Sequence, residues 1–122
     1  MTNYDILKFF HITGALMILA GLAALWGMSY AGTPIKKNVR IPLALIHGLG
    51  MLLSLGGGWM MLAKFTADGP IPGWAWAKLA LWLVLGGSMV LAKRKAHVGL
   101  GILGLFIGLS VTAILLAVFK PF

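Results

Sequence analysis

The chain has no cysteine and only two acidic residues, and each shortage narrows its chemistry. Without cysteine it has no disulfide, no thiolate metal site and no covalently attached haem. The only carboxylates are Asp5 and Asp68, which flank apolar runs and leave no pair for carboxylate acid–base catalysis. Charge of any kind is scarce, with ten basic and two acidic side chains among 122 residues. No phosphate-binding loop, nucleophile elbow or metal-ligand spacing is present; Gly56-Gly57-Gly58 and Gly86-Gly87 lack a phosphate-binding context and read as packing or kink sites. Met1-Thr2-Asn3-Tyr4-Asp5 lacks the basic start of a cleaved signal peptide.

Apolar residues fill the space that charge leaves. Hydrophobic side chains make up 61% of the chain and the mean hydropathy is +1.00, too apolar for the polar surface a soluble fold needs. In such a chain a net charge of +8 points to membrane topology and anionic headgroups. No basic patch interleaved with base-stacking aromatics lies outside the apolar runs, which argues against nucleic acid.

Four apolar segments follow one another, at about 5–31, 41–64, 73–92 and 97–119. Each has roughly 20 residues or more, enough at ~1.5 Å per residue to cross a ~30 Å hydrocarbon core. Gly32-Thr33-Pro34 and Asp68-Gly69-Pro70-Ile71-Pro72 break the first and second connections, and Lys93-Arg94-Lys95-Ala96 forms the third. Short connections make consecutive helices antiparallel neighbours, so the expected fold is an all-α, integral membrane, up-down-up-down four-helix bundle forming one domain. Lys36, Lys37 and Arg40 in the first loop and Lys93, Arg94 and Lys95 in the third outnumber Lys8, Lys64 and Lys120 on the other side. The positive-inside rule then places both termini outside. Trp74 and Trp76 fall at the outer interface, where amphipathic rings prefer to lie.

Helical spacing also suggests packing faces, because membrane helices associate through small residues and interhelical hydrogen bonds. Segment one aligns His11, Gly14, Ile18, Gly21 and Leu25; segment two aligns His47, Gly50, Ser54, Gly57 and Met61. Segment four aligns His97, Gly101, Gly104, Gly108 and Thr112, and segment three the bulkier Lys78, Trp82, Leu85 and Met89. In three of the four runs the histidine shares its stripe with glycines, where a neighbouring backbone or a flat ligand can approach.

The polar residues inside these runs are the candidate site. His11 lies about six residues, roughly 9 Å, below the outer end of segment one, and Lys78 about five residues, roughly 8 Å, below that of segment three. The two therefore share a tier, with Lys8 one turn above His11. His11 has two readings: a ligand or proton carrier, since neutral imidazole binds iron and titrates near neutrality, or a residue hydrogen-bonded across the helix packing. Lys78 either pairs with an anion, such as a porphyrin propionate or a lipid phosphate, or bends its amine back to the interface. His47 is expected roughly 10 Å from His11 along the bundle axis, so the two do not clearly supply the pair at one depth that a bis-histidine haem needs. Met61, near the outer end of segment two, is the geometric alternative as a second ligand.

Several stretches resemble known membrane proteins. Leu7-Lys8-Phe9-Phe10-His11-Ile12 with Ala20-Gly21-Leu22, Trp76-Ala77-Lys78-Leu79, and Val118-Phe119-Lys120-Pro121-Phe122 resemble the first span, third-span entry and terminus of HemJ-type protoporphyrinogen oxidases. Segment two, with Arg40-Ile41-Pro42, His47 and Leu52-Leu53-Ser54-Leu55-Gly56, looks more like the SirB family of small inner-membrane proteins. Both are similar to a loose group of four-helix proteins that includes copper-resistance D-like proteins. The resemblance implies a bacterial inner (plasma) membrane location, with the outer side periplasmic, and haem b as cofactor. It also makes His11 and Lys78 the important pair. The chain departs from the oxidase pattern in having no Asn-Pro in segment two and no second histidine in segment three; segment four does not open on a polar Arg/Asn/Glu motif. Oxidase activity is therefore left open.

Together these readings lead to a membrane protein with His11 as candidate haem-iron ligand and Lys78, with Lys8, as propionate partner. Met61 and His47 are subsidiary candidates. A structural or assembly protein working through glycine faces, as a homodimer or in a larger membrane complex, is the alternative. Transport or proton conduction is the third class; it lacks a buried acid to carry a coupled ion.

Overall fold

The computed structural model describes residues 2–67 and 69–122; Asp68, named above in the second connection, lies outside them. Four helices account for most of the chain: α1 (Asn3–Tyr30), α2 (Lys37–Thr66), α3 (Gly73–Arg94) and α4 (Leu100–Phe119). All four are long and apolar enough to cross a membrane. No strand is present among the described residues.

Local chemistry sets the helix ends. Thr2 caps α1 by a reciprocal box: its hydroxyl accepts the Asp5 N–H at 3.2 Å, and the Asp5 carboxylate accepts the Thr2 N–H at 2.9 Å. One of the two acids in the sequence is thereby engaged in a cap. α2 starts four residues earlier than its apolar run and contains Pro42. So near the helix start, proline removes a single backbone hydrogen bond, to Asn38, next to polar loop residues. α4 starts later than expected. Ala96–Val98 forms a single 3-10 turn, and Gly99 at φ +90° ends it, so His97 is not on α4 and does not belong to the Gly101–Gly104–Gly108 face. Lys120 closes α4 in the left-handed conformation, its N–H bonded to the Leu116 carbonyl at 3.1 Å.

Apolar surroundings also dictate where hydroxyls point. Ser88, Ser110 and Thr112 each donate to the carbonyl four residues back, at 2.6, 2.9 and 2.8 Å. A hydroxyl in apolar surroundings, whether enclosed by protein as at Ser88 or exposed on the helix surface as at Thr112, takes its partner from its own helix.

The helices are not equal partners. α1 packs against α2, α3 and α4, whereas α2 and α4 share no contact among the described residues. The α1/α2 seam is the most extensive and is built on glycine. A Cβ placed on Gly14 would strike the Ser54 amide nitrogen and come within 2.6 Å of the Gly50 carbonyl oxygen. One on Gly50 would meet the Gly14 carbonyl oxygen at 2.7 Å, and one on Gly57 the Leu7 carbonyl oxygen at 2.8 Å. The early residues of α1 therefore meet the late residues of α2, and the two helices run in opposite directions. Both stripes predicted for these segments are the two sides of this seam.

The best-buried side chains lie beyond the seam, where the second half of α1 meets α3 and α4. Leu22, Ala92 and Phe106 are fully enclosed, alongside Ile18, Leu25, Trp26, Leu85 and Ala96. α4 is the most peripheral helix, with Phe106 its only buried side chain among the described residues. The chain end is tied back to α3: the Gly73 N–H donates to the Phe122 carbonyl at 3.0 Å, and the Lys120 ammonium sits 5.5 Å from the Trp74 ring centroid.

The seam makes a direct stability prediction. Gly14→Ala or Gly50→Ala should cost about 1–3 kcal/mol in detergent unfolding, because neither backbone can yield to the new methyl group. Gly27→Ala faces nothing within 4 Å and should be neutral or stabilising by up to ~1 kcal/mol, from helix propensity alone. Equal losses at all three positions would show that the seam is not close-packed.

Candidate functional site

The seam positions His11. With Gly57 and Gly58 opposite, the imidazole lies flush against α2, and a Cβ on Gly58 would come within 2.9 Å of both Cε1 and Nδ1. Its Nδ1 lies 2.7 Å from the Ser54 carbonyl oxygen. A carbonyl only accepts, so Nδ1 carries the proton and donates it, leaving the lone pair on Nε2. This is the arrangement seen when a metal-ligating histidine is oriented by a backbone carbonyl, and equally that of a helix-packing histidine with its donor satisfied.

Lys78 lies on the inward face of α3. One turn on, the Trp82 indole N–H donates to the Met51 carbonyl of α2 at 3.1 Å, and further along the same stripe Leu85 is buried. Lys78 is itself half-buried, at the end of the molecule that also holds His11 and Lys120. The two candidates that the sequence placed on one tier are thus brought to the same end of the molecule. Among the described residues Lys78 has no hydrogen-bond acceptor or carboxylate partner. Lys8, one turn before His11, is exposed. Met61 is half-buried one turn beyond Gly57, on the α2 face that carries the seam.

His47 is elsewhere. It is buried, with its Cβ against Gly21 and its ring nitrogens each 3.4 Å from a carbonyl oxygen, Nδ1 from Ile18 and Nε2 from Gly86. A neutral imidazole donates to only one of these. His47 therefore acts as a bridge between α1 and α3, with neither nitrogen presented to a ligand. Gly21 follows His11 by ten residues on α1, so the two histidines are separated by ~15 Å along the seam, more than the sequence alone suggested. His97 is exposed in the turn before α4.

The donor set can be tested against haem b directly. One imidazole with its Nδ1 proton anchored and its Nε2 lone pair retained fits an axial ligand, and an unpaired ammonium beside it fits a propionate. A second histidine does not fit, since His47 is remote and its nitrogens face carbonyls. Met61 is the remaining candidate for a second ligand. No group of three or more His, Cys, Asp or Glu side chains among the described residues could hold a bare metal ion. Sequence reasoning did not foresee Trp82 as the residue that orients the Lys78 face; an indole four residues from a buried lysine was the available signal.

The chain matches no family model, no curated protein and no solved structure.

His11 and Lys78 should respond oppositely to removal. His11→Leu deprives the Ser54 carbonyl of its donor and should cost about 1–3 kcal/mol. Lys78→Met removes an unpartnered charge from an apolar helix and should raise ligand-free stability by ~1 kcal/mol or more, given insertion costs of ~2.5–3.5 kcal/mol for such a charge. Detergent unfolding of both variants provides the check; a large loss for Lys78→Met would mean that the ammonium has a partner within the fold.

Proposed function

We propose that this chain is a multi-pass protein of a bacterial inner membrane, and that its outer end binds haem b or a related tetrapyrrole. The topology we assign is up-down-up-down, with both termini periplasmic. It is supported by the excess of lysine and arginine in the first and third loops, and by Arg40, Lys93 and Arg94 lining a single groove. His11 would bind the iron, Lys78 would pair with a propionate, Lys8 would supply a second cation at the rim and Met61 would be the candidate second ligand. The observation that carries this reading is the pairing of an oriented imidazole with a half-buried, unpartnered lysine at one end of the molecule.

Bound haem would supply electron transfer. The chain's own residues would orient the ring, neutralise a carboxylate and exclude water with the aromatic side chains at that end. The described carboxylate at that end, Asp5, is held in the Thr2 cap, so we assign no oxidase step to it.

A second reading is favoured by one observation. Gly104 and Gly108 on α4 face nothing within 4 Å, unlike the glycines of α1 and α2 that meet backbone. A bare small-residue face on a membrane helix suits a partner helix, so the chain would act as an assembly protein through α4, as a homodimer or within a larger complex.

Two experiments separate the readings. Purified with haem supplied, the protein should show a Soret band that shifts or disappears in His11→Ala and weakens in Lys78→Met; no band, or one indifferent to His11→Ala, ends the ligand assignment. Gly104→Leu should reduce the oligomeric mass in mild detergent if α4 carries the assembly, and leave it unchanged if it does not.

A further inference from the structure

The opposite end of the molecule carries a feature that the haem reading does not use. Arg40 from the start of α2 and Lys93 and Arg94 from the end of α3 line one open cavity of about 360 Å³, with their aliphatic stems toward it and their side chains otherwise exposed. Its floor is apolar, formed by Leu25, Ala44 and Met89. A second open hollow, about 520 Å³ and lined by α2 alone, shares Ala44 and continues along the exposed face of that helix past Gly48 to Leu52. From Arg40 to Leu52 the path runs twelve residues, or ~18 Å, along the outer face of α2. Gly48 presents no side chain to narrow it and has nothing within 4 Å.

We infer that this groove is a binding site for an anionic phospholipid, with the phosphodiester against Arg40, Lys93 and Arg94 and an acyl chain lying over Ala44 and Gly48. The argument is charge complementarity joined to shape. Three basic residues line one end of an open apolar channel on the surface of a helix long enough to span the bilayer, and Asp5 caps α1 at the opposite end of the molecule. A soluble phosphate would make no use of the channel, and a neutral lipid would make no use of the cations. Basic pockets between spanning helices at one membrane face are a recurrent solution for anionic headgroups. The inference rests on the chain crossing a membrane and is independent of haem.

The test is native mass spectrometry of the full chain in detergent, titrated with phosphatidylglycerol and with phosphatidylcholine of matched acyl chains. Phosphatidylglycerol should bind at least about tenfold more tightly, as expected for several cations acting at close range. Arg40→Gln/Lys93→Gln/Arg94→Gln should abolish the preference. Lys36→Gln/Lys37→Gln/Lys95→Gln removes the same charge from the same end outside the groove, and should retain it. Ala44→Trp, which keeps every charge, should weaken binding of both lipids by blocking the channel.

Equal binding of the two lipids by the unaltered chain overturns the inference. So does equal loss in both triple variants, which would indicate diffuse surface charge. Displacement of the lipid by millimolar inorganic phosphate would identify a free-anion site instead. If the first triple variant loses its helical spectrum, Ala44→Trp decides, and lipid binding at unaltered strength in that variant overturns the inference.

Discussion

The close approach of α1 and α2 governs the rest of this molecule. Gly14, Gly50 and Gly57 bring backbone against backbone, a contact that lipid cannot replace because hydrocarbon solvates leucine as well as another leucine does. Where apolar burial offers no driving force between helices, dense packing and satisfied hydrogen bonds must supply it. The seam supplies both, since His11 and His47 place their rings against carbonyls along it. α3 then docks on this pair through the Trp82–Met51 hydrogen bond and through the core around Leu22 and Leu85. α4 joins last and least, through Phe106 and a tether from the chain end to Gly73.

Polar groups are divided between the two ends of this frame. One end holds His11, Lys78 and Lys120 with aromatic rings around them, Trp74 and Phe65 beneath the Lys120 ammonium. The other holds Arg40, Lys93 and Arg94 over an apolar groove. Buried charge without a partner is costly, and surface charge over an apolar channel is not, so the two ends differ physically. Lys78 loses hydration without gaining a counter-charge among the described residues, whereas the cations of the groove stay exposed to solvent. The first arrangement calls for an anion inside the fold, the second for one that arrives with a tail.

Much of this was legible from residue spacing. The glycine stripes of segments one and two followed from 3- and 4-residue steps and are the two faces of the observed seam. The common depth of His11 and Lys78 followed from counting residues in from the helix ends. The stripe of segment four was misleading, because Gly99 breaks the helix between His97 and Gly101 and turns a continuous apolar pattern into a turn followed by a helix. A glycine at positive φ looks the same in sequence as a glycine at a helix interface. His47 was also out of reach: spacing put it on the right face, but its contact with two carbonyls depends on how α3 lies across α1 and α2.

The sequence by itself determined the number of helices, their apolar length and which small residues share a face, because these depend on 3.6-residue periodicity and on the cost of exposing backbone to hydrocarbon. Only the tertiary structure decided which glycine faces are paired and which are bare, that Lys78 is half-buried, and that Arg40, Lys93 and Arg94 line one groove. Each of these joins residues of different helices. Their relative position is set by how closely two backbones can pack, which no one-dimensional pattern records.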